Sequence, residues 1–441
     1  MALIRLFYLV GLLLVAVMTS ACDDDTDVAD SGSDSDTDSD TDGDAGPDGS
    51  TDPVATRVSA GMFHSCVVFE NGNVKCWGYD QFGPLGYGPD LESYPDADEF
   101  IPSTLPFVNV GANVVEIEAS NYFTCALLEG GEVLCWGSNS DGQLGQGHGI
   151  VNIPSPSEYD PIDVGGPVLQ MDAGGAHVCA LLEGGGLKCW GLGWEGQLGY
   201  GSTAPVYDPS EKGLLDLGGP SIDVSAGARH TCAVLEGGGV KCWGNNDYGQ
   251  LGYGTTDSVL APSEVGTLPL GTSAVQVSAG SEHTCALLVG GEIKCWGMGN
   301  HGELGYGNTD SIGDNETLDD LDVVDVGGDV VQVSAGSGHT CAILDDSSVR
   351  CWGGIEAGLF ETIGDDETPA TAGEVPVGGL VVELSSGYRH VCAVLNAGTV
   401  RCWGSANSCQ LGYGYVDPVE HECEDIGDDE TPADAGDVPL F

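Results

Sequence analysis

Sixteen of the chain's 17 cysteines fall into pairs. Cys66 and Cys76, Cys125 and Cys135, Cys179 and Cys189, Cys232 and Cys242, Cys285 and Cys295, Cys341 and Cys351, and Cys392 and Cys402 each stand ten residues apart, and Cys409 precedes Cys423 by fourteen. Thiol catalysis, zinc or disulfides could use such pairs. Redox catalysis favours C-x-x-C, which is absent. Zinc takes four closely spaced ligands, and one pair per copy supplies only two. In HTCALLVGGEIKCWG (His283–Gly297) a three-residue loop over 289–291 sets Cys285 directly opposite Cys295, so the spacing predicts a disulfide stapling one hairpin.

Other chemistry-bearing residues point less far. Histidine recurs at 64, 177, 230, 283, 339 and 390, but equivalent positions of a repeat array lie on a circle, too far apart to share one ion. The matches to G-x-G-x-x-G at 191–196 and 297–302 open no helix in a βαβ unit, which phosphate binding requires. No G-x-S-x-G elbow is present. The acidic loops Ile312–Glu316, Ile363–Glu367 and Ile426–Glu430 do not fit the twelve-residue calcium loop; solvated turns are the ordinary reading and calcium the alternative. No cofactor and no catalytic residue is expected.

The elements that would position these residues are glycine-rich. The chain has 441 residues, 71 of them glycine, and 11 Lys plus Arg against 69 Asp plus Glu, a formal charge of -58. That balance excludes nucleic acid and anionic lipid headgroups as partners, since neutralising phosphates takes clustered cations. Arg5 and an apolar run to Met18 precede Thr19-Ser20-Ala21-Cys22, so residues 1–21 read as an export signal. The ending resembles a bacterial lipobox, with Thr19 where Leu is more usual, which implies lipidation of Cys22. Residues 22–53 then hold 13 Asp and no basic or aromatic residue, the composition of a disordered spacer.

From 54 to 441 one template recurs seven times, with cores starting near Val58, Ile117, Met171, Val224, Val277, Val333 and Leu384. Each reads approximately V-S-A-G-x-x-H-T-C-A-L-L-x-G-G-x-V-K-C-W-G, and most continue to G-Q-L-G-Y-G. The runs VQVSAG, HTCALL and EIKCWG read as three strands, with a fourth in a later segment such as Val323–Val326. Apolar residues on both hairpin faces require each sheet to lie between others, which predicts an all-β, seven-bladed β-propeller of four-stranded antiparallel blades. The V-S-A-G-x-x-H-T and G-Q-L-G-Y-G signatures resemble the repeats of the regulator of chromosome condensation family, which implies the same fold and makes the histidine a blade-packing residue. Copy two departs at Ser120 and Phe123, and copy six has GLFETIG in place of G-Q-L-G-Y-G.

Positions that vary between copies are free to bind. Phe82, Trp194, Tyr248 and His301 occupy nearly equivalent points between C-W-G and G-Q-L-G, and the loop Pro89–Phe100 is another variable site. A ring of partly aromatic loops suits protein recognition. The family's nucleotide exchange on a small GTPase carries over by fold analogy alone and does not suit an exported acidic chain. The architecture is also similar to that of beta-lactamase inhibitor protein II. The expected protein is a monomeric, lipid-anchored recognition module of the bacterial cell envelope, inhibitor-like, whose only membrane contact is the anchor. Alternatives are a glycan-active lyase or hydrolase, favoured by a pocket of carboxylates with shifted pKa, and a passive adhesion protein.

Overall fold

The computed structural model describes residues 52–88, 101–147, 152–354, 362–417, 422–428 and 430–441. The export segment, Cys22, nearly all of the spacer and the loop Pro89–Phe100 lie outside the described residues.

Each copy folds as one antiparallel sheet. The inner strands are Ala55–Ala60, Val114–Ala119, Val168–Ala173, Ser221–Ala226, Ala274–Ala279, Val330–Ala335 and Val381–Ser386. A middle strand follows in each, such as His283–Leu288, then a third, such as Ile293–Gly297. The middle strands are buried almost throughout, as a strand flanked by sheets on both sides must be. Inner strands touch inner strands around the whole array, and the seventh meets the first. Seven sheets closed in this way make a β-propeller. The closure is covalently remote but well bonded: Ala55 N–H donates to Gly398 O at 3.0 Å, and Lys75 Nζ donates to Leu440 O at 2.7 Å.

The fourth strand differs from the expected one. Among the described residues only the second blade has it, as the short Asn152–Ile153. In blades three to seven a single residue bridges the end of the third strand: Val206, Val259, Ile312, Ile363 and Ile426 meet Gly191, Gly244, Gly297, Gly353 and Gly404. Further along the chain, Val324 N–H donates to Ile293 O at 2.9 Å, and Val108, Ile162, Leu215, Leu268, Val375 and Val438 do the same in the other blades. Val323–Val326 is therefore one end of an interrupted edge, not a strand. The variable insertion between the two contact points bulges away, which leaves too few consecutive ladder bonds for a strand while still covering the sheet edge.

All seven hairpin cysteine pairs are bonded, with Cα atoms 4.0 to 4.1 Å apart, and Cys409 is bonded to Cys423. Cys285 faces Cys295 directly, and Leu288 N–H donates to Glu292 O to close the three-residue loop. The alternation of hydrogen-bonded pairs along the hairpin makes the cysteines a non-hydrogen-bonded pair, where Cα atoms approach most closely.

Candidate functional site

The repeated residues are consumed in holding blades together. Six tryptophans, and in five of these junctions a hydroxyl as well, donate to the carbonyl preceding Leu in the G-Q-L-G segment or its equivalent. In the fifth blade Trp296 Nε1 and Thr284 Oγ1 both donate to Gln250 O of the fourth blade at 2.9 Å, and His230 Nε2 of that blade lies 2.9 Å from the same hydroxyl. His64, His177, His283 and His390 make the equivalent contact with Thr124, Thr231, Thr340 and Ser65. Because the hydroxyl gives its hydrogen to the carbonyl, it accepts from the ring, which fixes a neutral histidine protonated at Nε2. Burial accordingly pushes His64, His177, His283 and His390 down to about 3, and His230 and His339 to about 4.

The departures in copies two and six follow this contact. Phe123 replaces the histidine, and its neighbour position in the third blade is Val178, which has no hydroxyl to offer. His339 keeps its ring but faces a seventh blade with Val391, and its Nε2 has no partner among the described residues. Trp403 Nε1 likewise has none, where the sixth blade lacks the G-Q-L-G carbonyl.

A second ring of hydrogen bonds joins successive blades at the ends of the inner strands. Met62, Gly175, Ala228, Ser281, Ser337 and Tyr388 each donate a backbone N–H to the carbonyl of Ser120, Gly227, Gly280, Gly336, Gly387 and Gly61 in the next blade. At the remaining junction the Ser120 hydroxyl donates to Gly174 O instead, so copy two's serine replaces a missing N–H. The glycines are there because blades approach too closely for a side chain: a Cβ on Gly227 would lie 2.4 Å from Gly280 O and 2.5 Å from His230 Cε1. Gly227→Ala is expected to lower stability by about 2 kcal/mol as overpacking does; a denaturant midpoint equal to wild type would refute that packing.

Along the inner strands, side chains bridge to the next blade's backbone. Glu116, Asp223, Gln276 and Gln332 accept the N–H of Met171, Val277, Val333 and Leu384 at 2.7 to 3.2 Å. Ser59, Asp172, Ser225, Ser278, Ser334 and Ser385 accept that of Ala119, Ala226, Ala279, Ala335, Ser386 and Ala60. Glu118 breaks the pattern, reaching Ser59 Oγ at 3.4 Å, and Arg57 pairs with Glu383 at 3.2 Å. Burial, and then repulsion from Asp172 and Glu383, raises Glu116 and Glu118 well above the usual carboxylate range. Burial also lifts Asp172, brings Asp223 to about 6, and brings Glu383 to about 7 against the pull of Arg57. This axial cluster escaped the sequence reading, although the third and fifth inner-strand positions do vary in charge between copies.

The lysines and arginines of K-C-W-G are also used internally. Lys75, Lys188 and Lys241 are buried and donate to the carbonyls of Pro102, Pro209 and Pro262, and Arg401 holds Asp437 at 2.8 Å. Few cations are left for the surface.

What the repeats leave over is a face of loops. Phe82, Trp194 and Tyr248 are 42%, 65% and 39% exposed, and His301 is exposed with its ring 3.7 Å from the buried Glu303. All four sit in the turns that follow C-W-G, at the same end of the blades as that ring of hydrogen bonds. Phe82 packs edge-on against Tyr122, which joins Phe63 and Tyr79 in one cluster with centroids 5.7 to 6.1 Å apart. Phe63 and Tyr122 occupy the variable position before the histidine, a variation the sequence reading passed over. Gly191–Gly196 and Gly297–Gly302 lead from strands into turns without a helix. Among the described residues of the acidic loops, Asp365, Asp366 and Glu367 bring three carboxylates within 4.8 Å, while Glu316 turns back to accept Gly313 N–H.

A closed ring of sheets whose repeated residues serve the junctions and whose loops form one varied face is a propeller built for display. The chain belongs to the RCC1-like domain family: that family's profile matches residues 16–322, and the regulator of chromosome condensation (RCC1) repeat matches 330–354 and 381–410. It is 30% identical to the ultraviolet-B receptor UVR8 of Arabidopsis thaliana over 81% of this chain and 78% of that one. It is 33% identical to the human E3 ubiquitin-protein ligase HERC2 over 55% of this chain, which spans 5% of that much longer protein. Among solved structures, human WBSCR16 superposes with a TM-score of 0.64 at 21% identity, covering 78% of this chain and 86% of that one. Yeast RCC1 (Prp20), bound to Kap60, gives 0.61 at 21% identity, covering 76% and 78%.

Proposed function

We propose that the propeller is a protein-recognition module, held at the bacterial cell envelope through Cys22 and spaced from the membrane by residues 23–53. The observation that carries this reading is the segregation of roles: template residues are buried in the junctions, while Phe82, Trp194, Tyr248 and His301 stand exposed on one face. Exposed aromatics on a rigid scaffold are the usual anchors of a protein interface. Thr19-Ser20-Ala21-Cys22 supports the lipid anchor, the uniform closure of the ring supports a monomeric propeller, and an inhibitor-like action fits a rigid face of this kind. The axial carboxylates, whose proton affinity would otherwise favour a glycan-active enzyme, accept backbone N–H groups between blades, and this favours a structural role for them.

The test is capture from the producing cell's envelope with soluble, oxidised 54–441, alongside a Phe82→Ala/Trp194→Ala/Tyr248→Ala variant. A protein retained by the first and lost at least about tenfold by the second is expected, since two or three anchors carry several kcal/mol. Equal retention by both would remove the loop face from the reading.

A further inference from the structure

We propose that the cluster Phe63, Tyr79, Phe82 and Tyr122 is the seat for an arginine side chain of the protein partner; this rests on the recognition reading above. The described residues contain a second, three-ring aromatic cluster. In it, Phe69, Phe107 and Phe441 pack with centroids 5.2 to 6.2 Å apart, and Lys75 Nζ lies over two of those rings, 5.5 and 4.8 Å from their centroids. Lys212 stands over Tyr200, and Arg389 over Tyr388 on the same face as the first cluster. Three of the chain's own cations, Lys75, Lys212 and Arg389, therefore stand over rings. Among the described residues, no cation lies over Phe63, Tyr79, Phe82 or Tyr122.

Charge decides what would fill that place. A chain with 69 acidic residues against 11 basic ones, several of them used internally, attracts a positive partner and repels a negative one. A purely apolar partner would use the rings and gain nothing from that field. An ammonium would use the field but is strongly hydrated. A planar guanidinium stacks on ring faces, sheds water more readily and keeps its charge, so it suits a half-buried aromatic platform with one exposed ring, Phe82, in an acidic setting. Packed rings leave no hole between them, which favours stacking on the outer side of the cluster over enclosure.

The probe is acetyl-Gly-Gly-Arg-Gly-Gly-amide, titrated into the oxidised propeller in 150 mM salt while the aromatic resonances are followed by NMR. Its citrulline isostere keeps the shape without the charge, and the lysine analogue keeps the charge without the plane. The expected result is a saturable shift focused on the four rings, with citrulline and lysine each about threefold to tenfold weaker. Tyr122→Ala should abolish the shift, and the wild-type comparison of the three peptides stands even if that variant folds poorly. Equal binding by citrulline, equal binding by lysine, or shifts scattered over the surface would each overturn the proposal. Failure here with partner capture intact would leave the recognition face standing through other contacts. Loss of the capture result with focused arginine shifts would do the reverse.

Discussion

Reduced in denaturant and diluted into reducing buffer, the propeller is expected to remain unfolded, whereas the oxidised protein refolds. Each hairpin bridge closes about eleven residues and contributes roughly 2 to 3 kcal/mol by restricting the unfolded chain, so seven contribute on the order of 15 to 20 kcal/mol. That exceeds the net stability of an ordinary domain, about 5 to 15 kcal/mol. The same bridges should resist reductant in the folded state, because their cysteines are at most 2% exposed. Cys409 and Cys423 are only half-buried, and their bond is expected to open first. Thiol labelling and mass spectrometry after dithiothreitol treatment, with and without guanidinium, distinguish the two tiers. Labelling of all eight pairs at one rate in native buffer would contradict the burial argument. A fully reduced chain with an unchanged denaturation midpoint would show that the bridges do not hold the fold.

Much of this architecture was legible because it repeats. The ten-residue cysteine spacing implied the hairpin register, and Cys285 does face Cys295. The fourth strand was not, because a segment such as Val323–Val326 is β-rich in composition whether or not its bonds form a continuous ladder. Here the ladder is broken between Ile312 and Val324 by the inserted loop. The exposed loop residues followed from variation between copies. The axial carboxylates did not: Glu116, Asp172, Asp223 and Glu383 are four among 69 acidic residues, and only closure of the ring brings side chains from four blades to one axis. Phe123 and Val178 show the same limit. Their joint loss of histidine and hydroxyl was visible in the sequence, but its meaning depended on knowing that those positions touch.

Stability is expected to peak on the acid side of neutrality, between about pH 5 and 6.5, and to fall on both sides for different reasons. The axial carboxylates bind protons more tightly folded than unfolded, so their contribution is complete below the unfolded pKa near 4 and is lost as pH rises through the folded values. For Glu383 at about 7 and Asp223 at about 6, raising the pH from 5 to 8 loses about 4 kcal/mol together; Glu116, Glu118 and Asp172 act in the same direction. The buried histidines have the opposite sign. Their folded pKa is about 3 or 4, so the unfolded chain gains protons below 6.5 that the folded chain refuses. Between 6.5 and 4.5 the two groups largely offset each other. Below 4.5 the carboxylates titrate in the unfolded chain as well and their gain stops, while six histidines destabilise by about 8 kcal/mol per pH unit at the steepest. Two variants separate the limbs in denaturant midpoints measured from pH 3.5 to 8.5. Glu118→Gln should raise stability at pH 8 and leave it nearly unchanged at pH 5. His283→Phe with Thr340→Val copies the apolar pair Phe123 and Val178 found between the second and third blades, and should make the acid limb shallower by one proton. An acid limb of unchanged slope in that double variant would show that the histidines are not what the folded ring refuses to protonate.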